Sequence, residues 1–131
     1  MTEFALAANI TLTSLARYCH PFIASREEQR RAEHFINRLA IKTASTHTPL
    51  RHLSGGNQQK TAIAKGLDHR PTIFLFDEPT RGIDIKAKSD VYRIIHDLLG
   101  QGLSGILISS ALEEVIGLCG VSAHSAPLMG P

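Results

Sequence analysis

Two short segments hold the residue types that could do chemistry. Ile73-Phe74-Leu75-Phe76 is an unbroken apolar run that ends in Asp77, Glu78 and Pro79. Such a run predicts a strand buried on both faces of a parallel sheet, and the carboxyl ends of such strands are where α/β sheets hold ligands. An aspartate there can hold Mg²⁺, usually through the metal's waters. The adjacent glutamate points elsewhere and can orient or deprotonate a water attacking a phosphate. Acids and prolines are equally at home where a strand simply ends in a turn, so this segment alone leaves both readings open.

The second segment is Leu53-Ser54-Gly55-Gly56-Asn57-Gln58-Gln59-Lys60. Ser54 is placed to cap a helix whose first amides lack partners, and those amides with the helix dipole form a natural anion site. Glycine at 55 and 56 would let the backbone approach a phosphate with no Cβ in the way. A flexible loop leading into a capped helix explains the same residues without any ligand.

The elements that must position these residues follow from the surrounding pattern. Residues 3–18 are apolar and moderately helical. Ser25-Arg26-Glu27-Glu28 has the form of a capping box, and Ala32, Phe35, Ile36 and Leu39 recur behind it at helical spacing. Residues 42–52, with Pro49, predict a loop. A helix is expected over 56–67, closed by Gly66 with Pro71 beyond it. Asp84 can cap a long helix to about Leu99, with Val91, Ile94, Ile95, Leu98 and Leu99 on one side and Gly100 near its end. Gly105 to Ile108 predicts a second buried strand, and Ser109 or Ser110 can cap a short helix over 111–118. Strand, helix and strand of these lengths imply a right-handed crossover in a parallel sheet. From Val115 onward no residue is charged, and 120–131 predicts an irregular tail.

Composition excludes several functions. The 131 residues suffice for one domain with a core. A net charge of +2, with 5% aromatic residues, argues against a nucleic-acid partner. No apolar run approaches the roughly 20 residues of a membrane span, and Glu3 stands where a signal peptide wants a base. Cys19 and Cys119 form no CxxC unit, which fits reduced apolar residues in the cytosol better than a disulfide or a metal site. The seven histidines show no paired metal-ligand spacing.

Together the two segments specify more than either does alone. The chain resembles the nucleotide-binding subunits of ABC transporters, from about residue 9 to residue 119. Leu53-Ser54-Gly55-Gly56 resembles their signature motif, and the Asn57-Gln58-Gln59-Lys60 extension is typical of bacterial importers for ribose, galactose, xylose and similar sugars. Ile73 to Glu78 is similar to the Walker B motif, Thr80-Arg81-Gly82-Ile83-Asp84 to the D-loop segment, and Ile108 to Val115 to the switch region. Four motifs in the right order and separation do not arise by chance.

The resemblance implies an α/β fold: part of a P-loop NTPase domain with parallel strands. It also implies a division into a helical subdomain (1–52), an ATPase core portion (53–119) and a divergent tail (120–131). Ser54, Gly55 and Gly56, with Asn57 and Gln58 of the extension, would face ATP bound to the opposite domain of a head-to-tail dimer. Asp77 would support Mg²⁺, Glu78 would be the catalytic base and Asp84 would couple the two sites. The partners implied are a second ABC ATPase domain and transmembrane permease subunits facing the helical subdomain. The location implied is the inner face of the cell membrane, without insertion into it.

Departures from the family pattern set expectations of their own. A phosphate loop needs G-x-x-x-x-G-K-[ST], and no Gly-Lys pair occurs. Gly56 to Lys60-Thr61 is only a partial look-alike on the signature helix. Ser110 occupies the switch position where most relatives have histidine, as is usual in the second ATPase domain of sugar-importer subunits. After Cys119 the family's Asp-Arg is replaced by Gly120-Val121-Ser122, which suggests a shifted reading frame or a truncation. Three readings follow: part of a sugar-importer ATPase, inactive alone; a binding module docking on an intact ATPase or membrane subunit; or a nonfunctional remnant. ATPases of chromosome maintenance share the Ser-Gly-Gly signature, but the Asn-Gln-Gln-Lys extension and Thr80-Arg81-Gly82 argue against them.

Overall fold

The computed structural model describes residues 2–17 and 25–118. Cys19, Cys119 and the tail 120–131 lie outside the described residues. Helix α1 (Leu6–Thr11) runs into a 3-10 segment (Leu12–Arg17) with a kink at Ser14. Then come α2 (Ser25–Arg38), a 3-10 turn at Leu50–His52, α3 (Gly55–Asp68), β1 (Ile73–Asp77), α4 (Ile85–Gly100), β2 (Ser104–Ile108) and α5 (Leu112–Leu118). The strands pair in parallel, Ile73 opposite Ser104 and Asp77 opposite Ile108, with α4 as the crossover.

One hydrophobic core unites these pieces across the expected boundary at residue 52. Leu6 and Ile10 of α1 and Ala32 and Phe35 of α2 belong to the same buried cluster as Ile63 and Leu67 of α3 and Val91 and Ile95 of α4. The 46–51 loop is strapped to the N-terminal segment by backbone bonds, including Leu6 N–H to Thr48 O at 3.0 Å and Leu50 N–H to Phe4 O at 3.1 Å. Glu28, expected to reach back to its own helix start, accepts a 2.8 Å hydrogen bond from the Thr11 hydroxyl and so ties α2 to α1.

Two expectations are corrected. The strands are not buried on both faces. Phe74 and Phe76 stack at 4.6 Å and pack with Leu107 against the core. Ile73, Leu75, Ile106 and Ile108 on the other side are 61%, 57%, 56% and 50% exposed. Successive strand residues alternate faces, and among the described residues α3 and α4 cover only one of them.

Nor does Gly66 end α3. It lies inside the helix, where a Cβ would come within 2.5 Å of the Phe74 ring. Termination falls to Arg70, whose backbone is left-handed (φ 55°) and whose amide bonds to Leu67 O at 2.9 Å, just before Pro71.

Candidate functional site

The carboxyl ends of β1 and β2 bring the expected acid and switch residues together. Asp77 is the last residue of β1, exposed and on the same face of the sheet as its register partner Ile108. Glu78 leaves the sheet in the left-handed region (φ 45°), a conformation costing a non-glycine residue about 1 kcal/mol. Its amide still bonds to Ile108 O at 2.8 Å, so the turn is locked to the neighbouring strand. The turn also redirects the side chain. Glu78 Oε1 accepts from the Ser110 backbone amide at 2.8 Å, which joins the acid to the switch segment over a separation of 32 residues.

A network absent from the sequence reading lies directly beneath. Glu114 on α5 is 3% exposed. One carboxylate oxygen accepts from the Ser109 hydroxyl at 2.6 Å, and the other accepts from the Thr80 hydroxyl. Lys88 approaches at 3.9 Å. Burial pushes the carboxyl up, but bonds from Ser109, Thr80 and Tyr92, with the Lys88 charge, outweigh it and hold the group below its ordinary value. Glu114 thus clamps the residue before Ser110 to the turn after Glu78. In sequence Glu113-Glu114 looks like an ordinary acidic first turn of a helix; the only hint is the hydroxyls at 80 and 109.

Ser54, Gly56, Asn57 and Asp84 line a second small cavity of about 150 Å³. Ser54 occupies the N-cap position, but its side chain caps no amide. Its hydroxyl accepts from Asn57 Nδ2 at 2.8 Å, while Asn57 Oδ1 accepts from the Lys42 amide at 2.9 Å. Gln58 donates to Leu53 O at 2.9 Å. Asn57 and Gln58 therefore brace the turn that presents Ser54.

The two glycines differ in role. Gly55 is exposed, with Ile83 3.3 Å from where a Cβ would sit. Gly56 is buried, and its Cβ would lie 2.5 Å from the Ala87 Cβ, so its bareness lets α3 cross α4. Asp84 caps α4 by accepting from the Ala87 amide at 2.9 Å. Asp84 lines the same cavity as Ser54.

Lys60 belongs to this region but not as a phosphate-loop lysine. Its ammonium is buried, pairs with Asp90 at 3.0 Å and donates to Ala40 O at 3.3 Å. The Lys60 hydrogen bond and charge hold the Asp90 carboxyl below its ordinary value.

As for cofactors, no described group of three or more His, Cys, Asp or Glu residues could hold a metal ion. The exposed Asp77 fits the role of one carboxylate to a Mg²⁺ whose other ligands are waters and phosphate oxygens. The glycine-opened start of α3 fits the face of a phosphate group. No helix of the described residues is long and apolar enough to cross a membrane.

The chain is similar to known proteins in sequence and in fold. The chain is 41% identical over 121 residues to a ribose import ATP-binding protein, RbsA 2, of Burkholderia cenocepacia, covering 91% of this chain and 24% of that protein. It is 42% identical over 116 residues to the xylose import ATP-binding protein XylG of Moorella thermoacetica, covering 88% and 23%. The chain therefore spans about a quarter of the length of these relatives. Among solved structures, it superposes with a TM-score of 0.72 and 22% identity on a dimeric ATP-binding cassette in a post-hydrolysis state with ADP and phosphate, covering 89% of this chain and 50% of that one. A putative metal-chelate type ABC transporter in an inward-facing conformation gives 0.75 and 17%, covering 88% and 47%. These establish the fold as part of an ABC ATPase cassette. With residues 2–81 matching the ABC transporter family, the chain belongs to that family.

Proposed function

We propose that this chain supplies the signature, Walker B, D-loop and switch elements of an ATP-hydrolysing site in a bacterial sugar importer. The observation that carries the proposal is the bond from the Ser110 amide to Glu78 Oε1 at the carboxyl ends of two parallel strands. Ribose and xylose import are the roles named for the relatives, and sugar is the substrate class proposed here.

The roles divide by position. Glu78 accepts a proton from, or orients, the water that attacks the terminal phosphate. Ser110 holds that carboxylate through its backbone, and its hydroxyl stands where the switch histidine of other members would reach the phosphate. Asp77 supplies one carboxylate to Mg²⁺, which when bound neutralises charge on the phosphates. Ser54, Gly55 and Gly56 face the phosphate of a nucleotide held by the opposing domain, with Asn57 and Gln58 shaping their turn, and Asp84 lies at the same interface. Residues 1–52 form the face toward the permease subunits, at the inner surface of the cell membrane.

No segment of the 131 residues has the phosphate-loop pattern. The chain therefore acts only where another polypeptide segment provides one, and by itself it turns over no ATP. Joining the phosphate-loop half of a ribose-importer ATPase to the N-terminus tests this. ATP turnover by the joined protein, and none by either half, is expected. A folded joined protein that binds ATP without turnover would refute the proposal.

A further inference from the structure

The opposite ends of the strands border a cavity that none of these roles uses. It is an open cleft of about 640 Å³, within the range of small-molecule sites. It lies between the C-terminal half of α2, the turn leading into β1 and the turn leading into β2 at Ser104. Five residues of strand at ~3.3 Å each separate it from the Glu78 end by about 16 Å.

Its walls are cationic and contain no carboxylate among the described residues. The half-buried Arg31 and the exposed His34, Arg38 and Arg70 line it, over an apolar floor to which the half-buried Pro71 and Leu103 contribute. Arg31 is fixed by Asp68 through its Nε at 2.6 Å and lies 4.8 Å over the Phe35 ring. Arg38 is held at 2.6 Å by a neutral acceptor, the Gln101 amide oxygen. Arg70, whose backbone is left-handed, forms no ion pair among the described residues.

Among the described residues, one carboxylate thus answers three guanidiniums. Arg31 and Arg38 each commit one of five N–H donors within the protein, leaving pre-oriented forks. Two uncompensated guanidiniums match a dianion best, and phosphate accepts the bidentate geometry that guanidinium offers. The apolar floor favours a ligand with a flat or apolar body attached.

We propose that this cavity binds a small, soluble phosphate monoester with a planar body. The proposal does not rest on the hydrolytic reading, because no residue of that site lines the cavity.

Calorimetry and amide NMR on the full chain at physiological ionic strength, with phenyl phosphate as probe, test it. Saturable binding is expected, at least about tenfold tighter than for inorganic phosphate. Amide shifts should cluster at Thr72, Gly102 and Ser104. The double variant R38Q/R70G should lose about tenfold or more in affinity while melting as the parent does, since glycine suits the backbone at 70. Absent saturation, equal affinity in the double variant, or shifts clustered at Gly55 and Gly56 would overturn the proposal. Capture on phosphatidylcholine–phosphatidic acid vesicles without phenyl phosphate binding would overturn it too.

Discussion

Glu114 shows how a buried charge can be kept in a small domain. Its two oxygens are met by hydroxyls of Ser109 and Thr80 with Lys88 nearby, so the ionised form is favoured despite burial. Glu114→Ala would strand those hydroxyls and should cost about 2–4 kcal/mol, read as a lower urea midpoint. The pH dependence has a definite sign. A carboxyl held below its ordinary value of 4.5 contributes stability above that pH and loses it as pH falls through the folded value. Asp90, held below 3.8 by Lys60, acts in the same direction. Thermal midpoints should therefore fall on acidification below about pH 4.5, and Glu114→Gln should flatten part of that fall. Slopes identical in the two proteins would contradict the clamp. The sequence singles out Glu78 and Ser54 as candidates, but gives no sign that the Ser110 amide holds Glu78. That bond depends on a left-handed turn that no residue type at 78 announces.

Most elements were legible because their signals are local. Asp84 caps α4 as its position before a helical stripe predicts, and β1 and β2 begin and end within a residue of the apolar runs. Gly66 misleads because a glycine near a helix end resembles a terminator, whereas here it makes room for a phenylalanine ring on the next strand. Gly56 has a packing role that sequence could not separate from a ligand role. Gly56→Ala should cost about 1–3 kcal/mol by wedging α3 from α4. Adding Ala87→Gly should recover part of that loss, beyond the cost of the new glycine. Chemical denaturation of the four proteins of this cycle measures the coupling, and simple additivity would show that the two residues do not compete for one space. Asp84→Ala should cost about 1 kcal/mol through the lost cap alone.

On the scale of the whole molecule, the parallel pairing was readable but the exposure of one sheet face was not. An apolar strand does not record which neighbours are present, and Ile73, Leu75, Ile106 and Ile108 look the same in sequence whether covered or bare. A contiguous apolar face of this kind favours association. Leu75→Thr with Ile106→Thr should lower the apparent mass in sedimentation at high concentration; unchanged self-association would exonerate that face. The cavity of arginines was also invisible, because its members come from helix α2 and from two turns far from it in the chain. The fold holds the Glu78 side chain against the Ser110 amide at the strand ends. The most direct measurement is ATP turnover, beside ATP binding, in the protein joined to a phosphate-loop half, with and without Glu78→Gln. The variant is expected to bind ATP as its parent does while turnover falls by about a hundredfold or more. Undiminished turnover would contradict this expectation and remove Glu78 from the reaction.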